Sequence, residues 1–110
     1  MDVRVRARVH GHRQLAAQGY GTLFDQLRDV LYSCDPLNLG SGAVNRDEYG
    51  SPVVTIIPRL GCCTTPEQLR FVVEDEMRKH YPACDFAGAD WERITFDFWN
   101  RWATFNEAKP

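Results

Sequence analysis

Apolar residues recur every three or four positions in four stretches of the chain, with charged residues between them. This spacing is typical of amphipathic helices that bury one face. The four stripes are Tyr20, Leu23, Phe24, Leu27, Val30 and Leu31; Tyr49, Val53, Ile56, Ile57 and Leu60; Leu69, Val72, Val73, Met77 and His80 or Tyr81; and Trp91, Ile94, Phe98, Trp102 and Phe105. The pattern predicts a mostly α fold, a small bundle of about four helices that forms a single domain over residues 1–110.

Capping residues and prolines set the expected ends of the first two helices. Thr22 is a candidate N-cap for the first, although good helix formers reach back to Arg13. Pro36 should end that helix, because proline disfavours the helical conformation in the residue before it. Ser51 is a candidate N-cap for the second helix, since a proline follows it at the first helical position, and Asn45 and Asp47 are alternative caps.

The third and fourth helices have clearer start signals. Thr65 is the predicted N-cap of the third, with Pro66 at the first helical position and Gln68 completing a capping box. Pro82 should close this helix, and a turn over residues 83–89 should follow. The fourth helix then begins behind Asp90 as its N-cap.

Several segments also fit other structures. The β-branched run 53–57 could form a buried strand, and Ile94, Phe96 and Phe98 alternate as in a strand, but we favour helices for both. Pro58 should bend or end the second helix. Residues 1–13 alternate valine with arginine, which predicts either a half-buried strand or a flexible basic arm. Residues 107–110 should form a frayed tail.

Charge is distributed unevenly, although the net charge is only −2. Residues 67–97 contain eight acids and four bases, whereas the arm at residues 1–13 is rich in arginine. An acidic half can steer a protein toward a basic surface, and solvated helix faces are the alternative interpretation. The aromatic stripe of the last helix should be mainly core, with Trp91 or Trp99 left as an exposed anchor.

The chain carries no recognisable targeting or membrane segment. Its first residues do not form the apolar run of a signal peptide, and no apolar run approaches the ~20 residues that cross a membrane. The sequence therefore predicts a cytoplasmic protein, in which cysteines are reduced and buried. These cysteines are Cys34, Cys62, Cys63 and Cys84.

No residue set matches a familiar catalytic or metal-binding pattern. The cysteines lack the Cys-x2-4-Cys spacing of zinc sites, and neither a phosphate-binding loop nor a nucleophile elbow occurs. We expect no enzyme activity, metal, cofactor or small-molecule substrate, and no nucleic-acid partner, because the acidic half would repel phosphates. The alternative is a small hydrolase or nuclease that uses His10, His12 and acids near Asp47.

Three motifs resemble those of a widespread family of small bacterial proteins. They are Asp35-Pro36-Leu37-Asn38, then Asp47-Glu48-Tyr49 before an apolar helix, then the capped segment Thr64-Thr65-Pro66-Glu67-Gln68-Leu69. The resemblance covers roughly residues 22–80. The chain departs from the family pattern at Cys34, where tryptophan is common, and at Pro58 and the Cys62-Cys63 turn.

The resemblance implies an immunity protein, because many members of this family lie near polymorphic toxin loci. Such a protein would bind the C-terminal domain of a toxin delivered by neighbouring bacteria, as in contact-dependent growth inhibition, and neutralise it. Combined with the acidic half, it predicts an acidic surface that covers a basic active site, with a nuclease as the expected toxin. The expected contact residues are Glu74, Asp75, Asp90 and Glu92, with Trp91 and Trp99 as anchors. An interaction module unrelated to toxins is the third hypothesis.

Overall fold

Four α-helices account for most of the residues that the computed structural model describes, namely 19–38 and 48–107. The helices are α1 (Gly21–Cys34), α2 (Gly50–Leu60), α3 (Pro66–His80) and α4 (Trp91–Glu107). Helix α1 packs against α2 and α4, and α3 packs against the same two helices, so that the four enclose one core. The predicted helical bundle of about four helices is therefore confirmed, and the basic arm at residues 1–13 lies outside the described residues.

Helices α1 and α4 run in opposite directions. The ring of Tyr20, just before α1, lies 5.2 Å from the ring of Phe105 near the end of α4. At the other end of the pair, burial raises the pKa of the Cys34 thiol, and the charges of Arg93 and Asp97 also act on it. The end of α1 thus lies beside the start of α4.

The core consists of the predicted apolar stripes. Tyr20, Trp91 and Phe105 at the ends of their stripes are only partly buried. Sequence reasoning missed Phe86, which enters the core from the turn before α4 with a φ of 55°. The buried members of the stripes are Leu23, Phe24, Leu27, Val30, Leu31, Tyr49, Val53, Ile56, Ile57, Leu60, Leu69, Val72, Val73, Met77, Ile94, Phe98 and Trp102.

A buried tyrosine joins the end of α1 to the start of α2. The Tyr49 side chain is fully buried, and its hydroxyl donates to Asp35 Oδ1 at 2.6 Å. The same hydroxyl accepts a hydrogen bond from the backbone N–H of Leu37 at 3.0 Å. Asp35 has a φ of 46°, in the left-handed region that aspartate tolerates better than most residues. Its side chain and the turn behind it therefore hold the two helices at a fixed position.

The end of α3 reaches the same region. The Tyr81 hydroxyl donates to the carbonyl oxygen of Glu48 at 2.9 Å, directly before α2. About two helical turns further along the chain, in α2, Thr55 Oγ1 lies 2.9 Å from His80 Nε2. The start of α2 is thus hydrogen-bonded to the segments that end both α1 and α3.

Two predicted N-caps are wrong. Thr22 lies within α1, whose N-cap is Tyr20, and Ser51 lies within α2, whose N-cap is Tyr49. Neither observed cap makes a side-chain cap hydrogen bond, so these two helices start where their apolar residues dock rather than at a polar cap. The alternative caps Asn45 and Asp47 fall outside the described residues.

Of the two outcomes expected for Pro58, a bend or an end of the helix, the second is wrong. The helix continues through Pro58 to Leu60. Proline has no N–H to donate to the carbonyl oxygen of Val54 four residues earlier, so α2 continues past Pro58 with one backbone hydrogen bond fewer.

The predicted caps of α3 and α4 are confirmed. Thr65 accepts a hydrogen bond from the backbone N–H of Gln68 at 3.2 Å, and Asp90 accepts one from that of Arg93 at 3.1 Å. The strand alternatives for residues 53–57 and 94–98 are wrong, since both segments are helical. Glu107 is the last residue of α4, and the rest of the predicted frayed tail, residues 108–110, is not described.

We expect the substitution Tyr49→Phe to lower the free energy of unfolding by about 1–3 kcal/mol, because it leaves Leu37 N–H and Asp35 without their shared partner. Urea denaturation followed by circular dichroism would measure the loss. The control is Tyr81→Phe, which removes the hydrogen bond to the carbonyl oxygen of Glu48 from a half-buried tyrosine and should cost about 1 kcal/mol or less. A larger loss for Tyr81→Phe than for Tyr49→Phe would contradict this account.

Tyr49 should also make the protein sensitive to alkali. Burial, and the hydrogen bond to Asp35, raise the pKa of Tyr49 well above its ordinary value of 10.0. An unfolded Tyr49 ionises near that value whereas the folded one stays protonated, so its contribution is complete below pH 10.0 and is lost as the pH rises further. Unfolding curves should show a loss of up to about 1.4 kcal/mol per pH unit that Tyr49→Phe lacks. An equal loss of unfolding free energy with rising pH in the wild type and in Tyr49→Phe would contradict this expectation.

Candidate interaction surface

The predicted contact residues lie on two helices. Glu74 and Asp75 are in the middle of α3, whereas Asp90 caps α4 and Glu92 lies in its first turn. The structure thus divides the acidic half into two groups with different surroundings.

The α3 acids are paired with basic residues. Arg59 of α2 donates from Nη1 to Asp75 Oδ2 and to Glu76 Oε1, each at 2.7 Å. Lys79 Nζ lies 3.0 Å from Asp75 Oδ2 and 3.7 Å from Glu76 Oε1. The hydrogen bond from Arg59, followed by that from Lys79, lowers the pKa of Asp75.

Glu74 has two cations of its own on α3. Arg70 Nε lies 3.0 Å from one carboxylate oxygen of Glu74, and Arg78 Nη2 lies 3.5 Å from the other. Together with Arg59 and Lys79, these bases oppose the acids at positions 74–76, so that this part of α3 presents little net charge. The negative field that the sequence predicts cannot come mainly from here.

The start of α4 keeps an excess of negative charge. Residues 85–97 contain four acids, and Arg93 is their one base. Arg93 Nε lies 3.8 Å from Asp97 Oδ2, and Asp90 is occupied as the helix cap. Glu92 is exposed and forms no ion pair with any residue that the structure describes. Among the acids of residues 85–97, Glu92 is therefore the one most available to a partner.

The two predicted anchors differ in their surroundings. The Trp91 ring is half-buried and packs against Phe86 at 5.6 Å, and the guanidinium of Arg78 covers Phe86 at 5.5 Å. Trp91 is thus part of the packing around the α3–α4 turn. Trp99, two turns further along α4, is also half-buried but lines an open groove.

Two grooves flank the turn between α2 and α3. The first, here called the α4 groove, runs between this turn and α4, and the second, the α3 groove, runs between the turn and α3. The α4 groove is lined mainly by Tyr20, Ile57, Pro58, Cys63, Trp99 and Ala103. The α3 groove is lined mainly by Pro58, Arg59, Cys63, Glu67, Phe71 and Val72.

Two large aromatic side chains are exposed, and sequence reasoning missed both as surface features. Phe71 on α3 and Phe96 on α4 each have a relative exposure of 66%. Phe71 lies off the apolar stripe of its helix, and that displacement is the signal that could have revealed it. Phe71 lines the α3 groove, whereas Phe96 is not among the residues that line either groove.

The cysteines are free thiols with unequal burial. Cys63 is buried, its Sγ lies 3.7 Å from the carbonyl oxygen of Arg59, and burial raises its pKa. Cys34 and Cys84 are partly buried, and Cys62 is exposed. The prediction of buried thiols is therefore right for Cys63 and wrong for Cys62.

Within residues 19–38 and 48–107, no three histidine, cysteine, aspartate or glutamate side chains are close enough to share a metal ion. His10, His12 and Asp47, which carry the hydrolase alternative, lie outside these residues. Of the helices described, none has the length and apolar character needed to cross a membrane.

Comparisons with protein-family models, curated proteins and solved structures found no match to the chain. The resemblance to toxin-associated bacterial proteins therefore stays a prediction. Its first two motifs meet in space, because the hydrogen bond between Tyr49 and Asp35 joins Asp-Glu-Tyr to Asp-Pro. That contact explains the residue types of the motifs through folding rather than through activity.

Arg59 should matter more to stability than the other bases near the α3 acids. The substitution Arg59→Met leaves the buried Glu76 carboxylate with only Lys79 nearby, and we expect a loss of about 2 kcal/mol in unfolding free energy. Arg70→Met is the control, because it breaks a partly exposed pair within one helix and leaves Glu74 paired with Arg78, so it should cost about 0.5 kcal/mol or less. Adding Glu76→Leu to Arg59→Met should recover part of the loss. Equal losses for the two single variants would show that the Arg59 pairs behave as ordinary surface pairs.

Proposed function

We propose that this protein is an immunity protein, which binds the C-terminal domain of a bacterial toxin and blocks its active site. The resemblance over residues 22–80 supports the class of function. The surface supports a binding role, because an acidic region at the start of α4 lies on the same helix as the partly exposed Trp99. A nuclease is the proposed toxin, because its active site must attract phosphates and therefore carries basic residues.

The observation that carries this proposal is the uncompensated acid at the start of α4. Charges that are already paired within a protein contribute little to its long-range field, whereas an unpaired acid attracts a basic surface before contact. Glu92 meets this description, and Asp90 and Asp97 lie on the same part of α4. Charge would set the rate of encounter, and Trp99 would bury apolar area in the complex.

Glu74 and Asp75 have a different proposed role from that of Glu92. A carboxylate has about four lone-pair sites, so an ion-paired acid can still accept a hydrogen bond from a partner's arginine or lysine. These two residues would act after docking, as polar contacts at the edge of the interface. Trp91 would support the α3–α4 turn that presents Asp90 and Glu92.

Neutralisation of a toxin tests the proposal directly. The toxin domain encoded beside this protein's gene would be purified, and its activity measured with and without an equimolar amount of the protein. We expect loss of activity and a stable one-to-one complex in size-exclusion chromatography. An adjacent toxin that stays fully active would overturn the proposal, and a neighbourhood without any toxin gene would favour an interaction module of another kind.

Charge reversal at Glu92 should slow association with the toxin domain. Glu92→Lys removes the unpaired acid and replaces it with a base, so the association rate at low salt should fall by about tenfold, within the range that steering produces. Stopped-flow fluorescence at several salt concentrations would measure the rates, and the difference should shrink as salt rises.

The matched control is Asp25→Lys, which changes the net charge equally. Asp25 lies near the start of α1, at the opposite end of the bundle from the start of α4. This variant should leave the association rate within about twofold of the wild type. Equal slowing by both variants would mean that only the net charge matters, and the proposed role of the α4 acids would be wrong.

A further inference from the structure

The α3 groove and the α4 groove adjoin each other, and both have apolar side chains among their lining residues. Pro58 and Cys63 line both of them, so the two grooves meet at the end of α2. Phe71 stands at the outer side of one groove and Trp99 lines the other. An exposed surface of this kind on a small protein is a recognised mark of an interaction site.

The charges beside this surface have one sign once internal pairs are taken into account. Arg59 lines the α3 groove, but Asp75 and Glu76 both accept hydrogen bonds from it. Glu67 lines the same groove and Glu107 lines the α4 groove. Neither glutamate forms an ion pair with a residue that the structure describes. The apolar surface is therefore bordered by uncompensated negative charge.

We propose that the joined grooves bind an amphipathic basic helix of the protein partner. The apolar face of that helix would contact Phe71, Pro58 and Trp99, and its lysine or arginine side chains would lie opposite Glu67 and Glu107. This inference rests on the proposed function for the identity of the partner, which would be the toxin domain. It adds the kind of segment that is recognised and the place where it binds.

The chemistry of the surface selects this occupant over others. Among the described residues that line the grooves, a nucleic acid would meet two unpaired carboxylates and no free base, so its phosphates would be repelled. A helix with an acidic polar face would be repelled for the same reason. A basic amphipathic helix matches both the apolar side chains and the acidic border of the grooves, because helix-in-groove recognition pairs an apolar stripe with flanking charge.

Synthetic peptides test the inference without the toxin. The probe is a peptide of about 18 residues, long enough to hold a helix, with leucine on one face and lysine on the other. The control peptide has glutamate in place of every lysine. We expect the lysine peptide to bind and to shift the backbone amide resonances of Cys62, Cys63, Phe71 and Trp99, and the glutamate peptide to leave them unchanged.

Two phenylalanines provide a matched pair of variants. Phe71→Ala should weaken binding of the lysine peptide by about tenfold, because it removes an aromatic contact from the groove. Phe96→Ala removes an equally exposed ring away from the grooves, and it should change the affinity by less than about twofold. Both residues are exposed, so both variants should remain folded, which circular dichroism would check.

Charge reversal gives a second readout. Glu67→Lys combined with Glu107→Lys should weaken binding of the lysine peptide and allow the glutamate peptide to bind. Equal effects of Phe71→Ala and Phe96→Ala, or equal binding of both peptides to the wild type, would overturn the inference. So would a concentration-dependent dimer in sedimentation that Phe71→Ala abolishes, because a second copy of the chain would then cover the surface.

The outcome separates this inference from the proposed function. If the protein neutralises its toxin but the lysine peptide does not bind, the groove assignment fails and the immunity role stands. If the peptide binds as described but no toxin is neutralised, the groove assignment stands and the immunity role fails.

Discussion

The hydrogen bonds made by the Tyr49 hydroxyl set the arrangement of the helices at one end of the bundle. A buried hydroxyl without partners would cost free energy, so Tyr49 is tolerated in the core only because Asp35 accepts its hydrogen and Leu37 donates to its oxygen. Both partners lie in the turn that ends α1, and Asp35 reaches its position with a left-handed backbone conformation. The end of α3 attaches to the same region through Tyr81. Three helices therefore depend on one small polar cluster for their relative positions.

Arg59 links α2 to α3 through its hydrogen bonds to Asp75 and Glu76. These bonds also reduce the negative charge that α3 presents to a partner. The sequence places a run of three acids at positions 74–76, which appears in one dimension as a negative patch. In three dimensions Arg59 and Lys79 neutralise two of them, and Glu76 becomes buried. Carboxylates used for cohesion between helices contribute less to the field that a partner meets at a distance. The availability of charge for binding is thus decided by tertiary pairing, and it shifts the effective negative region to α4.

The four helices could be predicted from the sequence because their signals are local and periodic. The apolar stripes, the stop at Pro36 and the caps at Thr65 and Asp90 all depend on residues within one or two turns. The failures are non-local. The burial of Glu76 requires a cation from another helix, and the exposure of Phe71 depends on where α3 meets its neighbours. The candidate surface was predicted only in part, as Trp99 and Glu92, because a groove arises from the juxtaposition of elements that are distant in sequence.

The acidic start of α4 and the α4 groove lie along one helix, and their spacing limits the shape of any partner that uses both. Trp99 follows Glu92 by seven residues, so a partner must extend about 10 Å along α4 to contact Glu92 and the near end of the α4 groove together. A standard interface buries about 800 Å² on each protein, which is wide enough for that span. Trp99 is half-buried and is the residue of α4 nearest to Glu92 that lines the groove. A single partner with basic residues at one end and a basic amphipathic helix at the other would therefore contact both the acidic start of α4 and the grooves at the α2–α3 turn. Trp99 would lie near the centre of that contact, where buried aromatic residues contribute most to affinity.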